Sequence, residues 1–228
     1  MVTVASAIST LALILMLGTA SAAQSGSRRV VFFGDSITEL GVKEGGYVRI
    51  LAELAKTDGR SGEFEFIGAG IGGNKVYDLF LRADTDVIGL KPDVVVIYVG
   101  VNDVWHKRLL GTGTDFDKFG RFYEALVKKF ADARIKVVVA TPAVIGERTD
   151  FSNDSDGDLN LYSKWIRDFA TRRSLPLIDL RKAFLDHNLR NNAENKPAGI
   201  LTTDRVHLNG AGNELVAREM WKVLREIR

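Results

Sequence analysis

Three side chains in this sequence have the types and spacing that nucleophilic catalysis needs. Ser36 stands in Gly34-Asp35-Ser36-Ile37-Thr38, and Asp204 and His207 stand in Asp204-Arg205-Val206-His207. A serine hydroxyl is a weak nucleophile until an adjacent imidazole takes its proton. Asp204 and His207 are three apart, so on a turn-like segment their side chains project to one side. The carboxylate would then accept from one ring nitrogen and fix the tautomer, leaving the other free to deprotonate Ser36. Taken singly, each residue has a plainer reading: Ser36 after a strand reads as a helix N-cap, and Asn102 and Asp103 as turn residues.

Two more segments lie between the serine and the histidine. Gly68-Ala69-Gly70-Ile71-Gly72-Gly73-Asn74 forms a glycine-rich turn, and Gly100-Val101-Asn102-Asp103 follows a run of valines. With Ser36 in its GDSIT segment and the Asp204–His207 pair, these make four ordered blocks spanning the chain from residue 34 onward. Their order and content resemble the GDSL/SGNH hydrolase family of lipase-like and esterase-like serine hydrolases. The resemblance implies a three-layer α/β/α sandwich on a five-stranded parallel sheet of flavodoxin-like order 2-1-3-4-5, and ester hydrolysis through a serine. In that order the first strand lies between the second and the third, which would bring Ser36, Gly73 and Asn102 side by side at the switch point. A tetrahedral oxyanion needs donors already aimed at it. The Ser36 and Gly73 backbone N–H groups and the Asn102 amide are the expected three, with Gly72 the alternative to Gly73. Asp35 and Asp103 read as structural hydrogen bonders beside the site. The sequence departs from many family members at Gly68, where asparagine is common.

The elements that must hold these residues follow an alternating pattern. Apolar, β-branched runs occur at Val30–Phe33, Glu63–Ile67, Asp93–Val99, Lys136–Ala140 and Leu175–Leu180. Helical spacing appears at Tyr47–Lys56, Phe116–Ala131, Leu159–Thr171 and Asn209–Ile227. Continuous apolar strands separated by helices indicate a parallel sheet buried on both faces. The longest irregular connections are expected at Val101–Asp115 and Pro142–Asp158, at strand C-termini where doubly wound sheets bind ligands. Trp105 and His106 are candidates for the substrate cleft; Trp105 would equally serve to cap the sheet edge. His187 falls in a polar helical stretch and reads as solvated.

Two rival motifs fail on spacing. Gly68, Gly70 and Gly73 match a dinucleotide fingerprint, but the acid about 20 residues on, Asp93, opens the next strand instead of ending it. Asp150–Asp158 is rich in aspartate, yet an EF-hand alignment puts Ser152 first and Ser163 at the position needing a bidentate glutamate. Asn153-Asp154-Ser155 is a glycosylation sequon, meaningful in a eukaryotic host.

With 228 residues, one domain is expected, at residues 28–228. A net charge of +2 offers no electrostatic footprint for nucleic acid. There is no cysteine, which excludes disulfides, a catalytic thiol and a lipoprotein anchor on cysteine. Residues 1–23 read as a signal peptide: an uncharged stretch with the apolar core Leu11–Leu17, then Ala20-Ser21-Ala22, with cleavage after Ala22 or Ala23. The lack of Lys or Arg before that core leaves an uncleaved anchor as the alternative. The mature domain would be secreted or periplasmic, without a stable membrane span.

The sequence therefore points to a serine esterase using neither metal nor cofactor, acting on a small-molecule or carbohydrate ester. Polar residues around Val104–Thr114 and an acidic Glu147–Asp158 segment favour a short acyl group, acetyl foremost. The alternatives are a lysophospholipase or thioesterase for longer chains, and a catalytically silent carbohydrate-binding protein on the same fold.

Overall fold

The computed structural model describes residues 26–227; the expected leader lies outside the described residues. The chain alternates strands and helices: β1 Arg28–Gly34, α1 Ser36–Gly41, α2 Tyr47–Thr57, β2 Phe64–Gly70, α3 Val76–Asp86 and β3 Val94–Tyr98. Then follow α4 Val101–Leu109, α5 Phe116–Asp132, β4 Lys136–Ala140, α6 Asp156–Arg173, β5 Leu177–Ile178, α7 Leu180–Asn191 and α8 Gly210–Leu224. All pairings are parallel and the sheet order is β2-β1-β3-β4-β5. This is the three-layer arrangement and strand order that the family resemblance implied.

The central strands explain themselves. Val30–Phe33 and Val94–Tyr98 are buried along their whole length, as strands covered on both faces must be. Right-handed crossovers place α3, α5 and α6 on one face, where Phe119 and Tyr123 of α5 meet Trp165 of α6. Helices α2 and α8 pack together on the other face, with α7 against α8.

The boundaries differ from the sequence expectation in informative places. Strand β2 runs through Gly70 rather than stopping at Ile67, because Gly68, Ala69 and Gly70 pair with Phe32, Phe33 and Gly34. Side chains there would collide: a Cβ on Gly70 would stand 2.1 Å from the Glu39 nitrogen, and one on Gly68 would strike Val42. The glycines of this block thus serve close packing of α1 on the sheet. Strand β5 shrinks to two residues, since Asp179 already caps α7. The segment Val101–Asp115, expected to be irregular, begins instead with α4, whose Val101 and Val104 sit in the core. Likewise Pro142–Glu147 is buried rather than a surface loop.

Candidate active site

The nucleophile block sits where β1 turns into α1. Asp35 caps that helix, accepting the Ile37 N–H at 3.0 Å, and Ser36 is its first residue. Gly34 permits the turn: a Cβ there would be 2.4 Å from both Thr38 Oγ1 and the Tyr98 carbonyl. Thr38 is in turn held by the buried Tyr47 hydroxyl, which donates to it at 2.9 Å.

The structure brings Ser36 and the distant Asp204–His207 pair into one hydrogen-bonded line. Ser36 Oγ lies 3.0 Å from His207 Nε2, and His207 Nδ1 lies 2.6 Å from Asp204 Oδ2. The other Asp204 oxygen accepts the Val206 and His207 N–H groups at 3.1 and 2.8 Å. Burial pushes the Asp204 carboxyl up, but these bonds and the imidazole outweigh it and hold it below the ordinary aspartate range. The loop is braced from both sides. Thr203 N–H donates to the His207 carbonyl and Gly146 N–H to the Arg205 carbonyl, both at 2.8 Å, with Arg205 held at φ 85°.

The same three-residue spacing recurs at Asp103 and His106, a pair the sequence reading did not set beside Asp204 and His207. Asp103 is fully buried and accepts the Val76 N–H, fixing the start of α3. Its α4 neighbour His106 instead faces Gly73, with Cε1 3.7 Å from where a Gly73 Cβ would stand. Burial and the Lys75 ammonium keep the His106 imidazole below the ordinary histidine range.

Gly72 and Gly73 occupy a turn closed by the Asn74 N–H on the Ile71 carbonyl at 3.3 Å. Gly73 has φ 75°, a conformation that side chains disfavour, and a Cβ on Gly72 would be 4.0 Å from Ser36 Cβ. Gly72 therefore lies beside the serine, and Gly73 follows it in the same turn, facing His106. Asn102, 2% exposed, donates Nδ2 to the Asn74 carbonyl at 3.1 Å, which ties the start of α4 to this turn.

Beside the line lies a cleft of about 220 Å³ lined by Trp105, Arg108, Ile145, Asp154, Asp204 and Val206. Trp105 is thus a wall of this cleft, and its ring meets His207 edge-on at 6.4 Å. His106 stands over Gly73 rather than in the cleft lining. A larger cavity of about 610 Å³, lined by Val127, Ile135, Leu175, Pro176 and Ile227, opens at the opposite, N-terminal end of the strands. His187 is half-buried and remote from the line, beside Gly45 and Glu214.

Sequence reasoning missed several supporting residues. Glu147 belongs by sequence to the acidic segment beside the site; it is fully buried and accepts the Ile200, Leu201 and Thr202 N–H groups at 2.8, 2.6 and 2.8 Å. It thereby anchors the segment leading into Asp204. The signal was its place at the end of the apolar run Ala143-Val144-Ile145. Asn153 and Ser155 are buried too, and Asp156 pairs with the buried Arg181 at 2.6 Å. Burial also pushes the carboxyls of Asp35 and Asp103 up to about 7.

The sequence profile of the GDSL-like lipase/acylhydrolase family matches residues 32–215. An acetylxylan esterase from Geobacillus stearothermophilus is 29% identical over 215 residues, covering 87% of this chain and 93% of the relative. The crystal structure of the acetyl xylan esterase AlAXEase is 58% identical with a TM-score of 0.83, covering 85% of this chain and 98% of that one. A lipoprotein from Bacillus subtilis, YqeF, is 29% identical over 195 residues, covering 76% of this chain and 79% of the relative. With the strand order, the family match and these relatives together, the chain belongs to the GDSL-like lipase/acylhydrolase family and is a carboxylic ester hydrolase.

Proposed function

We propose that this protein is an exported serine esterase that removes short acyl groups, acetyl foremost, from a polar, sugar-like alcohol through an acyl-enzyme on Ser36. The observation that carries the reading is the bonded line Ser36–His207–Asp204, opening beside a small, partly charged cleft. Ser36 Oγ attacks the ester carbonyl as its proton passes to His207 Nε2, and Asp204 stabilises the imidazolium. The carbonyl electrons collect on an oxyanion facing the N–H groups of Ser36 and Gly73 and the Asn102 amide. Collapse expels the alcohol, which takes the proton from His207. Water then repeats the attack with His207 as base, releasing the acid and restoring Ser36.

Three findings favour a small acyl group. A cleft of about 220 Å³ is below the usual size of a drug-sized ligand site, so it suits an acetyl group with part of a sugar ring. The larger apolar cavity is at the wrong end of the sheet to receive an acyl chain. Relatives named acetylxylan esterases extend over most of the chain, among them an enzyme whose serine, aspartate and histidine variants are described as catalytic mutants. Its aspartate and histidine are three positions apart, as Asp204 and His207 are. Export rests on residues 1–23; among the described residues no helix is long and apolar enough to cross a membrane.

The test is a comparison of kcat/KM for nitrophenyl acetate, butyrate and palmitate with acetylated xylo-oligosaccharides, using the protein recovered outside the cytoplasm. Acetyl esters should rank first, and the N-terminus should be Ala23 or Gln24. Preference for palmitate would overturn the short-acyl reading, and recovery of Met1 would overturn cleavage.

A further inference from the structure

Where β1 and β2 end, their hydrogen-bond ladder stops at the pair Gly34 and Gly70. One longer bond follows, from the Ile71 N–H to the Gly34 carbonyl at 3.3 Å; beyond it the two chains part, one becoming Asp35 and Ser36, the other the rest of the turn to Asn74. Something must hold those two segments at a fixed spacing, because the serine and the donors around its substrate come from opposite sides of the gap. The guanidinium of Arg82, reaching back from α3, lies at this point. Its Nη2 donates to the Gly34 carbonyl at 2.8 Å and to the Ala69 carbonyl at 3.0 Å. Its Nε donates to Asn74 Oδ1 at 2.7 Å, and Nη1 to Asp86 at 2.7 Å. The side chain is 13% exposed, and its planar head lies 4.4 Å from the centroid of the Phe33 ring. A guanidinium has five N–H donors in a rigid fork, so these bonds fix its orientation as well as its place.

Resting on the serine reading above, we propose that Arg82 is a positioning residue for catalysis, a clamp that sets the distance between Ser36 and the Gly72–Gly73 donor turn. On one side it holds the carbonyl immediately before Asp35-Ser36. On the other it holds the side chain of Asn74, whose own N–H closes the turn and whose carbonyl receives the Asn102 amide. One cation therefore sits at the junction of the three segments that surround the reacting carbonyl. Arg82 touches no reacting atom; it acts by keeping the donors aimed at where the oxyanion forms, a requirement that falls on the transition state and not on substrate binding.

Arg82→Lys and Arg82→Met test this, beside Arg60→Met as a control. Arg60 is also bonded to a carboxylate and a carbonyl and lies over two aromatic rings, but it sits before β2 at the far end of the sheet. With nitrophenyl acetate and rates normalised to folded protein, both Arg82 variants should lose tenfold or more in kcat with KM within about threefold. Their labelling by a fluorophosphonate should slow in parallel. Lysine should not restore the rate, since one ammonium with three donors cannot span the four acceptors at Gly34, Ala69, Asn74 and Asp86. Arg60→Met should lower Tm while keeping kcat. Should Arg82→Met fail to fold, Asn74→Ala removes one arm of the clamp and should still lower kcat, with no further loss when combined with Arg82→Lys.

A kcat within twofold of the parent in Arg82→Lys would overturn the clamp, and so would an equal kcat loss in Arg60→Met at matched Tm. The underlying serine reading has its own check: it fails if Ser36→Ala retains turnover. An inactive Ser36→Ala with fully active Arg82 variants would remove this inference alone.

Discussion

Replacing Asn102 by alanine takes away two things that can be measured separately. The first is structural. The amide is 2% exposed and donates to the Asn74 carbonyl at 3.1 Å, so truncation leaves that carbonyl, on a half-buried residue, without its donor. Leaving a buried acceptor unsatisfied costs roughly 1–3 kcal/mol. For a domain of about 200 residues, 2 kcal/mol corresponds to a fall in Tm of about 4–8 °C. The second is catalytic. The remaining amide hydrogen is the proposed donor to the oxyanion, and removing one such donor costs about 2.7–4 kcal/mol in the transition state, or roughly 10²–10³ in kcat. That bond strengthens only as the carbonyl becomes tetrahedral, so KM should stay within about threefold. Asn102→Asp separates shape from chemistry, because it keeps the side-chain outline but presents an acceptor where a donor is needed. It should lose at least as much kcat as alanine does. Initial rates on nitrophenyl acetate, expressed per folded molecule from near-UV circular dichroism, give kcat and KM; a thermal melt gives the structural cost. A kcat within threefold of the parent, or a defect lying wholly in KM, would refute the donor role.

Two further outcomes follow from the same geometry. Ser36→Ala and His207→Ala should each abolish nearly all turnover with the fold intact, and Asp204→Asn should be severe but less complete; a tenth of parental activity in Ser36→Ala would contradict the mechanism. The buried carboxyls give a signed pH dependence. Burial raises Asp35 and Asp103 to about 7, above their unfolded value, so the folded chain binds extra protons between about pH 4 and 7. Their contribution to stability is therefore fully present below about pH 4 and is lost as pH rises through about 7. Each group contributes a slope of at most about 1.4 kcal/mol per pH unit. Asp35→Asn keeps a capping side chain, so relative to the parent it should gain stability between pH 5 and pH 8. Urea denaturation at both values checks this, and a difference that does not change with pH would contradict it.

Much of this protein is determined by local sequence. Runs such as Val30–Phe33 and Val94–Tyr98 are continuous and β-branched, which fixes them as strands covered on both faces wherever they end up in the sheet. The four ordered blocks, each recognisable by its own few residues, led to the sheet order and the family. Ser36, Asp204 and His207 could be singled out because their types and order carry the signal, without knowledge of their contacts.

What tertiary structure alone decided is where each equally spaced pair sits. Asp103–His106 and Asp204–His207 have the same local pattern. The first is split between the cap of α3 and the face of Gly73, while the second meets a serine 171 residues away in sequence. Glu147 reads in sequence only as part of an acidic segment, whereas in the fold three backbone N–H groups from residues 200–202 surround it. Arg82 shows in its own helix only the i, i+4 pairing with Asp86; its other acceptors, at Gly34, Ala69 and Asn74, come from two strand ends and a turn. The physical reason is common to all three. Periodicity and propensity report what a segment buries, whereas the partner of a buried charge is set by where the chain returns, and that is a property of the folded whole.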